Sequence, residues 1–366
     1  MKTEFPIHKM PPVWFIRTLD GFRKFLITLN KRLFPANVVL YEHFQYYWFL
    51  PCLKVAAELD IAGLLKDKAM TVEELAGITN SHPDSLFRIL RALASMGVFR
   101  QRKDKRFVNT RLSKTMIDGK GSLRFMILQH LGKLNWTSFS ELMYSVKTGK
   151  DAFSSLYGKN IYEYLEGDKP ESSVFDKSMA NLTEMSIDSL LSKYSFSGYP
   201  VIADIGGGDG ILLSAILANN PGCKGILFDI QDGLTHAENT LSRYGIMDRA
   251  SIIAGNFFRE TPPIANAYIL KNVLHNWDDT ACTEILERIR KVMPDDGKIL
   301  IIEMVIEENN RPSYGKLIDI QMLAFLPGGR ERTRKEFTNL VDNAGLRIKK
   351  IIPTISPVFI IEIVKK

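Results

Sequence analysis

The chain has 366 residues, 45% hydrophobic and 24% charged, a globular composition with room for two domains and unlike that of a disordered or fibrous protein. Its net charge of +7, from 48 basic and 41 acidic residues, is too mild to call by itself for nucleic acid. Three scattered cysteines, Cys52, Cys223 and Cys282, suggest neither a disulfide framework nor a zinc site and fit a reducing, cytoplasmic setting; Met1 to Pro12 lacks the apolar core of a signal peptide, and no apolar run reaches the roughly 18 residues of a membrane span.

Residues 1–36 read as a separate amphipathic arm. Phe15, Ile16, Leu19, Phe22, Phe25, Leu26, Leu29 and Leu33 form a helical apolar stripe, interspersed with Arg17, Arg23, Lys24, Lys31 and Arg32. Such a helix can pack on a partner subunit or lie on a membrane surface; packing is the expectation.

Residues 37–120 read as a winged helix. Thr71-Val72-Glu73-Glu74 is a capping box that opens one short helix. Ser81-His82-Pro83-Asp84 opens another, with Leu86, Ile89, Leu90 and Leu93 on its apolar face. Gly97-Val98-Phe99, the charged turn Arg100 to Arg106 and Phe107-Val108 then make a hairpin. Such a module binds DNA, here through Arg88 and Arg91, or dimerises; no other dense basic cluster supports the DNA reading.

Residues 121–195 form a helical linker rich in aromatic side chains, among them Trp136, Phe139, Phe153, Tyr157 and Tyr162, with a helix starting near Phe175. From 196 to 366 the pattern becomes α/β. Strands are expected near 201–205, 225–229, 251–253, 267–272, 298–303, 346–352 and 357–364, the last two as a hairpin across Pro353 to Pro357. The result is a Rossmann-like, mostly parallel sheet closed by an antiparallel pair. Ile320 to Pro327 is expected as a loop that offers apolar side chains to a ligand.

The stretch Val201-Ile202-Ala203-Asp204-Ile205-Gly206-Gly207-Gly208-Asp209-Gly210 is a buried strand running into a glycine turn and then a helix. Glycine lets backbone approach a ligand closely. The next strand ends in Asp229, placed to accept hydrogen bonds from ribose hydroxyls. A nucleoside-containing cofactor follows. Asp204 and Asp209 beside the turn disfavour a pyrophosphate and suit a cationic ligand. This resembles motif I of the class I S-adenosylmethionine (SAM) methyltransferases, whose cofactor carries a sulfonium and an ammonium.

Strand 267–272 empties into Leu274-His275-Asn276-Trp277-Asp278-Asp279, and the neighbouring strand delivers Glu303 at its own carboxyl end. Ligands bind at this edge of an open α/β sheet. A neutral imidazole takes a proton near pH 7, and a carboxylate on its other nitrogen fixes the tautomer. His275 with Glu303 beside a methyl donor therefore reads as an acceptor-activating site. Asp278 and Asp279 read as the start of the following helix, where acids suit the dipole, and no metal site is expected.

From about 40 to 366 the chain resembles the plant caffeic-acid and hydroxyindole type of O-methyltransferase and its bacterial natural-product relatives. The matching pieces are Leu59 to Leu65, Leu86 to Leu93, Asp204 to Gly210, Leu274 to Asp279, Glu303 and Gly328-Gly329-Arg330-Glu331-Arg332-Thr333. The resemblance implies a homodimer built through the N-terminal domain. It implies a SAM-dependent transfer to a hydroxyl, with S-adenosylhomocysteine as product. It makes His275 the general base, flanked by Glu303 and Glu331. It places Gly206 and Gly208 under the methionyl end of SAM, Asp204 near its ammonium and Asp229 on the ribose. Asn256, Phe257 and Trp277 fall at the adenine, and Lys271 on the ribose and carboxylate side. Two positions depart from the pattern: Asn256 and Asn276 stand where the family often has Asp. The acceptor is expected to be an aromatic or polyketide-like phenol; the alternatives are C- or N-methylation of a ring, a drifted decarboxylase or hydroxylase, a SAM-responsive DNA-binding regulator, or an inactive dimeric partner.

Overall fold

The computed structural model describes residues 11–366, with the side chain of Arg17 left out, so the first ten residues of the expected arm lie outside the described residues. The chain divides into two compact units, one of Trp14–Thr137 with Lys169–Leu182, the other of Ser138–Asp168 with Thr183–Lys366.

In the first unit the helices Val13–Leu33 and Ala36–Glu58 are separated at Phe34 and Pro35. The capping box is present: Thr71 Oγ1 accepts the Glu74 N–H at 3.2 Å and Glu74 Oε2 accepts the Thr71 N–H at 2.7 Å, opening the helix Val72–Thr79. Pro83 opens the helix Pro83–Ser95, where its missing N–H costs nothing. Leu86, Leu90 and Leu93 from that helix are buried with Ala56, Ala57, Met70, Phe99 and Phe107 in one core. The hairpin pairs β1 (Phe99–Gln101) with β2 (Phe107–Asn109), and Met70 bridges to Phe107. This is the helix, turn, helix and wing expected from the sequence. Arg88 and Arg91 lie on the exposed side of the second helix, and the Arg91 guanidinium covers the Phe87 ring at 5.5 Å.

The second unit holds the sheet. β3 (Val201–Ile205), β4 (Lys224–Asp229), β5 (Ala250–Ala254), β6 (Ala267–Lys271) and β7 (Lys298–Ile306) run parallel. β10 (Val358–Lys365) is antiparallel to both β7 and β9 (Leu346–Pro353). The order is β5-β4-β3-β6-β7-β10-β9, with β8 (Arg332–Thr333) beside the end of β7. Both faces are covered, so the strands read as apolar runs. Ile202, Ile269, Leu300, Ile302 and Ile360 pack with the helix Ile211–Asn219. Ala203, Ile205, Tyr268, Leu270, Ile299 and Ile301 pack with the helices Asp279–Val292 and Arg334–Asn343. Strand order reverses at β3, whose two neighbours are β4 and β6; the crevice at such a reversal is where open α/β sheets bind ligands.

Two sequence readings need correction. Ile320 to Phe325 is not a loop but the end of the helix Tyr314–Phe325, with Met322, Ala324 and Phe325 buried; its apolar run is a core-facing helix surface rather than a solvent-side strip. The helix assigned from Phe175 already begins at Lys169, because Pro170 is tolerated in a first turn whose N–H groups have no intrahelical acceptor.

Candidate active site

The glycine turn follows β3 at the strand-order reversal. Gly206 and Gly208 have φ of +70° and +54°, a region that side chains disfavour. A Cβ on Gly208 would have no atom within 4 Å, whereas one on Gly207 would meet Leu227 at 2.5 Å and Asp204 at 2.7 Å. The turn is thus packed hard on its inner side and open at Gly208. Asp229, at the tip of β4, ties the two strand ends together: its Oδ2 accepts the Gly208 N–H at 2.8 Å and its Oδ1 the Ile230 N–H at 2.7 Å.

Asp204 is 2% exposed. Burial drives its carboxyl pKa up to about 7, against the opposing pull of Lys271, with Asp229 adding to the rise. Lys271, at the end of β6, is the complement. Burial lowers its ammonium to about 8 although Asp204 and Glu303 hold it up, and its Nζ donates to Thr183 Oγ1 at 3.1 Å. A buried acid held near neutrality, at the closed side of a turn open at Gly208, suits a ligand that brings its own positive charge.

An aromatic group lies beside the turn. Phe257 would be 3.8 Å from a Cβ on Gly206. Phe258 meets Phe257 and Trp277 edge-on, each at 4.8 Å between ring centroids, and Tyr162 lies nearly parallel to Trp277 at 6.3 Å. Asn256 shapes the turn that carries Phe257: its Oδ1 accepts the Phe258 N–H at 2.8 Å, and its own N–H donates to Glu260. Phe258 and Thr183 carry no sequence signal for this site, and Tyr162 is expected only as part of the aromatic supply of residues 121–195.

After β6, Asn272 adopts φ +54°, which Asn tolerates better than most residues, and the chain enters the single turn Leu274–Asn276. The His275 side chain is 15% exposed, and its Nδ1 lies 2.8 Å from Glu331 Oε1. An ionised carboxylate only accepts, so Nδ1 carries the hydrogen and Nε2 is left as the acceptor. Burial lowers the imidazole pKa, but the hydrogen bond and charge of Glu331, with the charge of Glu303, outweigh it and the net shift is upward.

Glu303 is not the carboxylate on the imidazole, as the sequence reading had it. Its Oε1 accepts two backbone N–H groups, from Val273 and His275, each at 3.1 Å. The strand neighbours do bring it to His275, but to the main chain. Burial raises its pKa, and the charge of Glu331 adds to that. Glu331 comes instead from the segment before β8. Its own N–H donates to Asp319 Oδ1 at 2.8 Å on the helix Tyr314–Phe325.

The same segment grips the His275 turn from behind. The Arg330 N–H donates to the His275 carbonyl at 2.8 Å. Arg332, its side chain fully buried, donates to the Leu274 carbonyl at 2.9 Å, the Trp277 carbonyl at 2.8 Å and Asp279 Oδ1 at 2.9 Å. Its role was not legible because a charged residue inside a core breaks the usual pattern. Asp278 caps the next helix, accepting the Ala281 N–H at 2.8 Å, as expected for acids at that start. On the helix Tyr314–Phe325, Phe325 contacts Phe139 at 5.8 Å and Phe153 at 5.6 Å between ring centroids. Phe153 and Phe325 are buried, whereas Phe139 is exposed.

Comparison with known proteins identifies the family. Residues 139–347 match the O-methyltransferase domain family and residues 41–119 the O-methyltransferase dimerisation domain. The phenazine O-methyltransferase PhzM of Lysobacter antibioticus is 36% identical over 329 residues, spanning 90% of this chain and 96% of that protein. The crystal structure of LaPhzM superposes with a TM-score of 0.87 at 35% identity, covering 91% of this chain and 100% of the other. The O-methyltransferase NcsB1 of neocarzinostatin biosynthesis, solved with SAM and 2-hydroxy-5-methyl naphthoic acid, gives a TM-score of 0.74 at 30% identity over 87% of this chain and 96% of its own. A Rossmann-like sheet with its glycine turn, a histidine at the end of β6 and these matches together place the chain in the O-methyltransferase family, with that family's dimerisation domain at its N-terminal side.

Proposed function

We propose that this protein is a homodimeric, SAM-dependent O-methyltransferase that methylates a phenolic hydroxyl of a flat aromatic or polyketide-like molecule. The observation that carries the reading is the His275–Glu331 pair at the same edge of the sheet as the glycine turn and buried Asp204. When bound, SAM supplies a methyl group already activated by its sulfonium. Asp204 would face the ammonium, Gly206 and Gly208 the methionyl backbone, and Asp229 the ribose. Phe257, Asn256 and Trp277 would hold the adenine, and Lys271 the carboxylate side.

His275 Nε2 takes the acceptor's hydroxyl proton. Glu331 stabilises the resulting imidazolium through Nδ1–H. A phenol ionises near pH ~10, so the upward shift of the imidazole narrows the gap the proton must cross. Glu303 holds the turn through its two backbone N–H bonds, and the second carboxylate oxygens of Glu303 and Glu331 have no hydrogen-bond partner among the described residues. That excess of negative charge favours the protonated ring. Three free thiols, Cys52, Cys223 and Cys282, support a cytoplasmic location.

Incubating the protein with methyl-labelled SAM and a panel of hydroxylated phenazines, naphthoates and simpler phenols tests the reading. Label on a phenolic oxygen is expected. Label on carbon or nitrogen, or S-adenosylhomocysteine binding without transfer to any phenol, would overturn the hydroxyl assignment.

A further inference from the structure

The helix Val13–Leu33 has no buried residue among those described. Phe15, Leu19, Phe22, Leu26, Leu29 and Leu33 alternate four and three residues apart along it, the spacing of a helix seam that meets another helix. Past the break at Phe34 and Pro35 the next helix, Ala36–Glu58, also exposes apolar side chains, Leu40, Phe44 and Tyr47 among them. Leu26, in the middle of the seam, keeps 47% of its surface accessible. The arm thus leads directly into residues 41–119, the part that matches the dimerisation domain.

We propose that the arm seam, Phe15 to Leu33, packs against the same seam of a second copy of this chain and extends the dimer beyond its dimerisation domain. Three observations favour a second copy over a lipid surface. The repeat averages 3.5 residues per turn, which keeps the Phe15–Leu33 row aligned with a partner helix over its length; a lipid-facing helix needs only a one-sided apolar face. Lys24 and Lys31 fall opposite the seam, with Asp20 bridging Lys24 at 2.6 Å, so they stay in water when the seam is covered. The arm also adjoins in sequence the segment that matches the dimerisation domain.

Two full-length variants, Leu26→Cys and Lys24→Cys, test the proposal by oxidative cross-linking. Both retain the three native cysteines as a common background. A disulfide-linked dimer is expected for Leu26→Cys and not for Lys24→Cys; equal cross-linking, or none at either site, overturns the proposal. Sedimentation of full-length Leu26→Glu across a dilution series should show at least tenfold weaker dimerisation, with S-adenosylhomocysteine binding unchanged to show that the fold is intact. A dimer as tight as the parent's overturns the proposal, and flotation with phosphatidylglycerol vesicles that is lost in that variant would give the face to lipid instead.

Discussion

Glu331 Oε1 stands 2.8 Å from Nδ1 of His275, and it reaches that position from a segment 56 residues further along the chain. A carboxylate at that nitrogen fixes the tautomer and raises the basicity of the other nitrogen together. With the His275 pKa raised, the neutral base is depleted as pH falls through a point above that of an ordinary imidazole. The acid limb of the rate profile should therefore lie on the alkaline side of the usual histidine value. In Glu331→Gln the charge is gone while an acceptor oxygen remains. The limb should move to lower pH, and plateau kcat should fall by about 10- to 100-fold as the imidazolium loses its stabilising charge. A kcat–pH profile checks both, and a limb that does not move would remove His275 from the role of base.

His275→Ala should keep S-adenosylhomocysteine affinity near the parent's, because the ring contacts Glu331 rather than the glycine turn. Turnover should fall roughly 100-fold or more, the usual share of a general base. Calorimetry with single-turnover kinetics separates the two. Unchanged turnover would mean that the acceptor ionises without help.

Much of this site was legible in the sequence, and its limits have a physical cause. The run from Val201 to Gly210 combines a strand, a turn and a helix start within ten residues, so local rules suffice. His275 and Glu303 were assigned to one edge because parallel strands emit their carboxyl ends on the same side, and β6 and β7 do lie together. Which carboxylate meets the imidazole was not legible. Glu303 lies on the adjacent strand and takes main-chain N–H groups, whereas Glu331 arrives through a tertiary contact that spacing does not encode. The helix Tyr314–Phe325 was misread because one apolar run serves a buried helix and a ligand loop equally well.

Asp204→Asn should separate stability from binding. The Asp204 carboxyl titrates at about 7 in the folded chain instead of 3.8, so the native state holds that proton more tightly than the unfolded state does. Its contribution to stability is full below about pH 4, declines as pH rises, and is lost above about 7. The ligand-free Asn variant should melt higher than the parent at pH 8 and show a clearly smaller gain at pH 5. Its affinity for SAM, whose ammonium Asp204 would face, should drop at least tenfold at pH 8. Melting curves at the two pH values, with a titration at pH 8, supply the test; a lower melting temperature at pH 8 would contradict the burial argument.

Asp229→Ala removes the proposed ribose acceptor and also the partner of the Gly208 and Ile230 N–H groups. Both losses act on the cofactor side, so S-adenosylhomocysteine binding should weaken at least 100-fold, about 2.7 kcal/mol. Asp229→Asn keeps an oxygen for Gly208 and should lose less. Calorimetric titration of the pair distinguishes ribose recognition from turn support: equal losses would show that the oxygen kept for Gly208 rescues nothing and that the carboxylate's charge and second oxygen carry the binding, whereas near-parent binding by Asp229→Asn would reduce the role of Asp229 to holding the turn.

Arg332 should act as a positioning residue for the base. Its guanidinium joins the Leu274 and Trp277 carbonyls and Asp279 at once, bracketing His275 from both sides of its turn. Lys keeps the charge but not the planar fork, so Arg332→Lys should leave at least one buried carbonyl without a donor, at about 1–3 kcal/mol each. The turn then shifts, and a displacement of about 1 Å at a reacting group can cost roughly 100-fold in rate. The expected signature is a kcat at least tenfold lower, an S-adenosylhomocysteine affinity within about twofold of the parent's, and an acid limb that stays in place because Glu331 still holds the ring. A parallel loss of cofactor affinity would mean that Arg332 supports the fold as a whole and not the turn that carries His275.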